Sequence, residues 1–222
     1  MFHVKICGIT SVDDAQVAIR AGADALGLNF YRKSARAIDV QMARQIGNRV
    51  PHGVTKIGVF VNADPVEVSH TFYEAGLDAV QLHGDEPPEY LLRLGDLPII
   101  RAFRLGEGRL DDVDAYLQQC SRLGVPSRMI LVDAFSADAY GGTGKTVDWP
   151  RLAADCQQRQ LPPLVLAGGL TPENVADAIR LVHPAAVDVA SGVEQRPGRK
   201  DPDRVRQFVA AARAAFDSIA PI

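Results

Sequence analysis

Apolar residues come in short unbroken runs along this chain, and between the runs they recur every third or fourth position. The runs cover residues 3–7, 25–30, 57–61, 79–82, 99–103, 129–133, 164–167 and 186–190. Continuous runs of this length mark strands buried on both faces, as in a parallel sheet. The stretches between them read as amphipathic helices. The first opens near Ser11, turns Ala15, Ala18 and Ile19 to one side and stops at Gly22, a residue suited to a left-handed helix end. The second opens near Asp39 and sets Val40, Ala43, Ile46 and Val50 on one face. Asp64-Pro65 is a third start, an acceptor followed by proline at the first helical position, and Gly76 is its stop. Further helices are expected at about 88–94, 112–123 and 149–158, from Thr171 onward, and at about 202–216.

Eight strand–helix units in a row, with no break in composition, predict an α/β protein with one (β/α)8 TIM-barrel domain over residues 1–222. An open doubly wound sheet is the alternative. Regular strand spacing with no missing unit favours the barrel. Composition agrees, since 47% hydrophobic residues in 222 are enough for a large core. A net charge of -3 without a Lys/Arg-rich block argues against nucleic acid or an anionic membrane as partner. Cys7, Cys120 and Cys156 show no Cys-x-x-Cys spacing and no nearby histidine pair, which excludes the common zinc frameworks and a disulfide scaffold. Widely spaced thiols in odd number suit a reducing cytoplasm. No apolar run approaches a membrane span, and the start lacks a signal-peptide pattern. The expectation is a cytoplasmic monomer or homodimer that needs no metal and no cofactor.

In a barrel the chemistry sits where the strands end. Cys7 ends the first strand, next to Gly8. It is either a small buried hydrophobe or a reactive thiol, and position alone leaves both open. The loop after the second strand offers Arg36, either solvated or poised to grip a carboxylate with two hydrogen bonds. Asp133 ends the sixth strand as a structural partner or a general acid–base group. Gln81 and His83, at the end of the fourth, rank second, because such a histidine more often packs or caps. Asp188 on the eighth strand either faces the barrel or braces loops. Cys120 and Cys156 fall on helices and read as structural.

Glycines cluster at three consecutive strand ends: 141–144, Gly168-Gly169, and Gly192 after Ser191. Amides on glycine turns leading into helix starts cradle anions, and barrels often bind phosphate after the seventh and eighth strands. Tight turning alone is the bland reading. Gly141-Gly142-Thr143-Gly144-Lys145-Thr146 imitates a nucleotide loop but fails the test, since Ala139 stands where that motif needs its first glycine. It reads instead as a glycine-hinged loop able to close over a ligand, or as a long surface loop.

These pieces resemble the phosphoribosylanthranilate isomerase family. The resemblance rests on Lys5-Ile6-Cys7-Gly8-Ile9-Thr10, Ser34-Ala35-Arg36, Gln81-Leu82-His83-Gly84, Leu131-Val132-Asp133, Gly141-Gly142-Thr143-Gly144-Lys145 with Asp148-Trp149, Ala167-Gly168-Gly169-Leu170, and Asp188-Val189-Ala190-Ser191-Gly192-Val193-Glu194. They run in order from end to end. The family usually has proline before the arginine and a hydroxyl or amide residue before the Ser-Gly-Val-Glu; Ala35 and Ala190 stand there instead.

The resemblance implies an Amadori rearrangement of N-(5-phosphoribosyl)anthranilate in tryptophan biosynthesis. Cys7 falls on the family's general base, Asp133 on its general acid and Arg36 on its anthranilate-binding arginine. Gly144, Gly168, Gly169, Asp188, Ser191 and Gly192 fall around the phosphoribosyl group, the small-molecule partner. A basic Cys7 implies a nearby cation or helix-start amides to favour the thiolate.

Other readings compete. A bifunctional isomerase with a second phosphate site is disfavoured by Asn62-Ala63-Asp64-Pro65, which lacks a glycine pair. Another phosphosugar barrel enzyme, such as a metal-dependent epimerase, would carry histidine pairs. A non-catalytic phosphoribosyl-binding barrel would not need Cys7, Asp133 and Arg36 together.

Overall fold

The structure is a computed structural model that describes residues 2–105, 110–125, 127–134 and 148–219. Eight parallel strands close into a barrel: β1 (Val4–Cys7), β2 (Ala25–Asn29), β3 (Thr55–Phe60), β4 (Ala79–Leu82), β5 (Ile99–Leu105), β6 (Met129–Ala134), β7 (Leu164–Leu166) and β8 (Ala186–Val189). Neighbours in sequence are neighbours in the sheet, and β8 returns to β1 with Lys5 beside Asp188. The helices between them are α1 (Val12–Ala21), α2 (Val40–Gly47), α3 (Pro65–Glu74), α4 (Pro88–Leu92), α5 (Asp111–Arg122), α6 (Trp149–Gln157) and α7 (Val175–Val182). A short hairpin, β9 (Glu194–Arg196) and β10 (Arg199–Lys200), precedes α8 (Pro202–Ser218). Among the described residues no helix is long and apolar enough to cross a membrane.

Local chemistry accounts for the helix limits. Ser11 Oγ accepts the Asp14 amide at 3.1 Å, and Gly22 ends α1 at φ 95°. Asp39 and Asp64 cap α2 and α3 in the same way, with Pro65 behind the second. Thr171 does not start α7. Asn174 Oδ1 takes the Thr171 amide at 2.8 Å and its Nδ2 donates to Gly169 O at 3.0 Å, so residues 171–174 form a turn and the helix begins at Val175.

Side-chain alternation divides the barrel. Ala25, Ile57, Ala79, Ile100, Leu131 and Val165 belong to one apolar cluster, the barrel interior. Residues of opposite parity, such as Ile6, Leu26, Val80, Ile130, Leu166 and Val187, belong to the larger cluster under the helices. Lys5 is in register with Ala25 and Asp188, so it points inward with Cys7. The same parity carries Gln81 and Asp133 inward, through Val59↔Gln81 and Ala102↔Leu131. The interior is therefore apolar at the amino ends of the strands and polar at the carboxyl ends.

Candidate active site

The thiol of Cys7 is half-buried at the rim, and the Lys5 side chain below it is fully buried. Lys5 Nζ pairs with Asp188 Oδ1 at 3.0 Å. Room for both comes from Gly27, the register partner of Cys7. A Cβ there would stand 2.6 Å from Cys7 Sγ and 3.0 Å from Lys5 Nζ. Burial pushes the Cys7 thiol above its ordinary range; Lys5 opposes this most, Asp188 reinforces it and Lys200 resists it. Lys5 itself stays protonated, because Asp188 and the thiol outweigh the cost of burial. The amides after Cys7 do not serve the thiol. Gly8 and Ile9 both donate to Gly27 O at 3.0 Å. The cation is present as the sequence required, and helix-start amides are not the device.

Arg36 reaches the same rim from the loop after β2. Asn29 shapes that loop by accepting the Tyr31 amide at 2.8 Å, and Ser34 Oγ accepts the Arg36 amide at 3.1 Å. The arginine lies across Gly8, whose φ is 73° and where a Cβ would meet Arg36 Cδ at 2.4 Å. Its guanidinium does grip a carboxylate with two bonds, and that carboxylate is Glu194: Nε to Oε1 at 2.9 Å, Nη2 to Oε2 at 2.7 Å. Lys200 Nζ joins Glu194 Oε1 at 2.9 Å and donates to Ala190 O at 3.0 Å. Burial acts to raise the Glu194 carboxyl, and Arg36 and Lys200 outweigh it and hold it below its usual range.

Across the mouth, His83 Nε2 faces Asp133 Oδ2 at 3.4 Å. Gln81 Nε2 lies 3.1 Å from His83 Nδ1. With the Gln81 amide nitrogen as donor, Nδ1 accepts and the ring proton sits on Nε2, toward Asp133. Gln81 Oε1 and His83 Nε2 are buried and make no hydrogen bond among the described residues. Such groups ask for a partner. The structure thus brings the two second-rank residues together with Asp133.

Gly168, Gly169, Ser191 and Gly192 line one cleft of about 320 Å³ of empty space, together with Asp133 and Asp188. Gly168 and Gly169 have φ of 85° and 65°, open to glycine and strained for other residues. A Cβ on Gly192 would lie 1.9 Å from Leu170 O, so the two loops touch backbone to backbone. Gly169 O is taken by Asn174 Nδ2, and Gly192 O by Arg204 Nε at 2.9 Å. Both carbonyls are thereby tied to side chains at the starts of the following helices. Gly144 lies outside the described residues, with the rest of 135–147.

Lys5 and Glu194 lie inside the segments that carry the resemblance, without a role of their own there, while Gly27 and Lys200 lie outside them. Lys5 was visible as a charge inside an apolar run, two positions from Cys7. Lys200 had no local signal.

A model of the N-(5'phosphoribosyl)anthranilate (PRA) isomerase family matches residues 4–211. The chain is 46% identical over 218 residues to the N-(5'-phosphoribosyl)anthranilate isomerase of Trichlorobacter lovleyi, with 97% of this chain and 100% of that protein covered. It is similar to the crystal structure of phosphoribosyl anthranilate isomerase from Thermotoga maritima: 38% identity, TM-score 0.84, 96% of this chain and 100% of that one. Another solved phosphoribosyl anthranilate isomerase is 39% identical at TM-score 0.80, again over 96% and 100% of the two chains. That one is in complex with reduced 1-(o-carboxyphenylamino)-1-deoxyribulose 5-phosphate.

Proposed function

The chain belongs to the N-(5'-phosphoribosyl)anthranilate isomerase family, an enzyme family of tryptophan biosynthesis, and we propose that Cys7 and Asp133 are the base and acid of its reaction. The reaction turns N-(5-phosphoribosyl)anthranilate into 1-(2-carboxyphenylamino)-1-deoxyribulose 5-phosphate. Asp133 delivers a proton to the ring oxygen as the C1–O bond breaks, leaving a protonated Schiff base. The Cys7 thiolate removes the C2 proton, and the electron pair moves into the C1–C2 bond to give an enolamine. Reprotonation at C1 and loss of the C2 hydroxyl proton give the ketone.

The observation that carries this reading is the shared inward face. Cys7 and Asp133 both end strands on the parity that points into the mouth, and the glycine-lined cleft lies between them round the ring. Lys5 supplies the charge that favours a thiolate beneath Cys7. His83 contacts Asp133 and Gln81 holds His83, so the acid has an oriented neighbour. The cleft of Gly168, Gly169, Ser191 and Gly192 takes the phosphate, and Arg36 takes the anthranilate carboxylate. The whole site is carried by a single barrel. Its free thiols suit a reducing cytoplasm.

The test follows loss of the fluorescence of the anthranilate adduct in wild type, Cys7→Ala and Asp133→Ala. Each substitution is expected to lower kcat by at least about 10²-fold, the scale of one acid or base group. Near-full turnover in either variant removes that residue from the proposed pair.

A further inference from the structure

Arg36, read above as the receptor for the substrate's carboxylate, already carries a carboxylate. Glu194 occupies the Nε–Nη2 edge of its guanidinium with two bonds. A guanidinium offers two such edges. Nη1 makes no hydrogen bond among the described residues, so the Nη1–Nη2 edge remains for a ligand. Geometry alone would allow binding, but charge would not favour it. An arginine neutralised by a buried glutamate has little attraction left for a second anion.

Lys200 changes that balance. Its side chain is 0% exposed and that of Glu194 3%, against 14% for Arg36. Lys200 and Glu194 are cross-strand partners in the β9–β10 hairpin. Burial pushes the lysine down, and Glu194 resists this. With Glu194 charged between two cations, the cluster keeps one net positive charge, presented on the open edge of Arg36. The hairpin is fixed in turn: Thr10 Oγ1 donates to Gly198 O at 2.6 Å, and the Lys200 amide to Asp14 Oδ2 at 3.3 Å.

We infer that Lys200 is a positioning residue that gives Arg36 its selectivity for a carboxylate by cancelling the charge of Glu194, the buried carboxylate bound to the other edge of the guanidinium. The inference rests on Arg36 being the carboxylate receptor. It predicts an effect on discrimination between substrates rather than on turnover in general.

The experiment compares kcat/KM for two phosphoribosyl adducts, that of anthranilate and that of aniline, which lacks the carboxylate. Product ketose is measured for both. Lys200→Met is expected to lower the preference for the anthranilate adduct about tenfold, chiefly through KM, since charge-assisted bonds are worth that much. The charge-balanced double variant Glu194→Gln/Lys200→Met is expected to keep the preference within about threefold of wild type, because Arg36 then has no buried counter-charge. If Lys200→Met does not fold, Lys200→Gln replaces it, with the same loss expected and the same outcomes overturning the inference. Equal loss for both adducts in Lys200→Met, or a double variant whose preference falls as far as about tenfold, overturns the inference. Arg36→Met separates the two claims. If it leaves the preference unchanged, the reading of Arg36 itself fails; if it abolishes the preference while Lys200→Met does not, only the role of Lys200 falls.

Discussion

Lys5 on β1 and Asp188 on β8 stand side by side in register and pair at 3.0 Å across the seam where the barrel closes, with Cys7 on the same face one step toward the rim. A charge pair in this position costs desolvation, and hydrophobic isosteres often do better. Here one member is the cation that most opposes the rise of the thiol.

Lys5→Met is therefore expected to act twice. The rising limb of kcat/KM against pH moves to higher pH, because the thiol loses the cation that favours its ionised form. Stability falls by about 3–5 kcal/mol, because Asp188 is left buried without its partner. A pH profile and a urea titration of one preparation check both. An unmoved limb would assign the thiolate to another cause.

Gly27→Ala puts a methyl group where the thiol and the ammonium now meet. The backbone of β2 needs no positive φ there, so the fold is expected to survive. Turnover is expected to drop by about 10²-fold, as a displacement near 1 Å can cause. Titration of Cys7 with a thiol reagent reports whether the group has moved. An unaltered kcat would show that the site tolerates the shift.

Gly192→Ala drives a Cβ onto Leu170 O, and neither backbone can yield cheaply. Overpacking of this kind costs about 1–3 kcal/mol. The loops part, and the amides of the cleft lose their spacing. KM for the phosphoribosyl substrate is expected to rise more than kcat falls, and inhibition by inorganic phosphate to weaken in parallel. A kcat effect with unchanged KM would place the phosphate elsewhere.

Glu194 links the site to acid stability. Its carboxyl is held below the usual range in the folded protein, so the unfolded chain binds the proton more readily. Its contribution is full above the ordinary glutamate pKa and is lost as pH falls through the folded-state value. Glu194→Gln is expected to be less stable near pH 7 and to lose less on going from about pH 6 to about pH 3 than wild type does. Denaturant midpoints across that range test the sign. Parallel curves would assign the acid sensitivity to other carboxyls.

The barrel was legible because its strands are buried on both faces. Residues 79–82 were expected as a strand and form β4 unchanged, and Asp64-Pro65 starts α3 as its chemistry demands. Cys7 and Asp133 were legible as polar residues ending apolar runs, and Asp188 as a charge inside one. The β9–β10 hairpin was not: two short strands without an apolar run look like loop. The grip of Arg36 on Glu194 spans 158 positions, and nothing local in either segment points to the other. The start of α7 was misplaced because Asn174 bonds back to the Thr171 amide and Gly169 O, holding residues 171–174 as a turn before the helix.

The clasp between Thr10 and Gly198 has a consequence in time. A ribosome makes β1 and the Arg36 loop well before Glu194 and Lys200, and only after those two does the hairpin reach back across 188 positions. A nascent chain stopped before them would already carry Cys7 and Arg36, with nothing yet to fix the guanidinium across the rim.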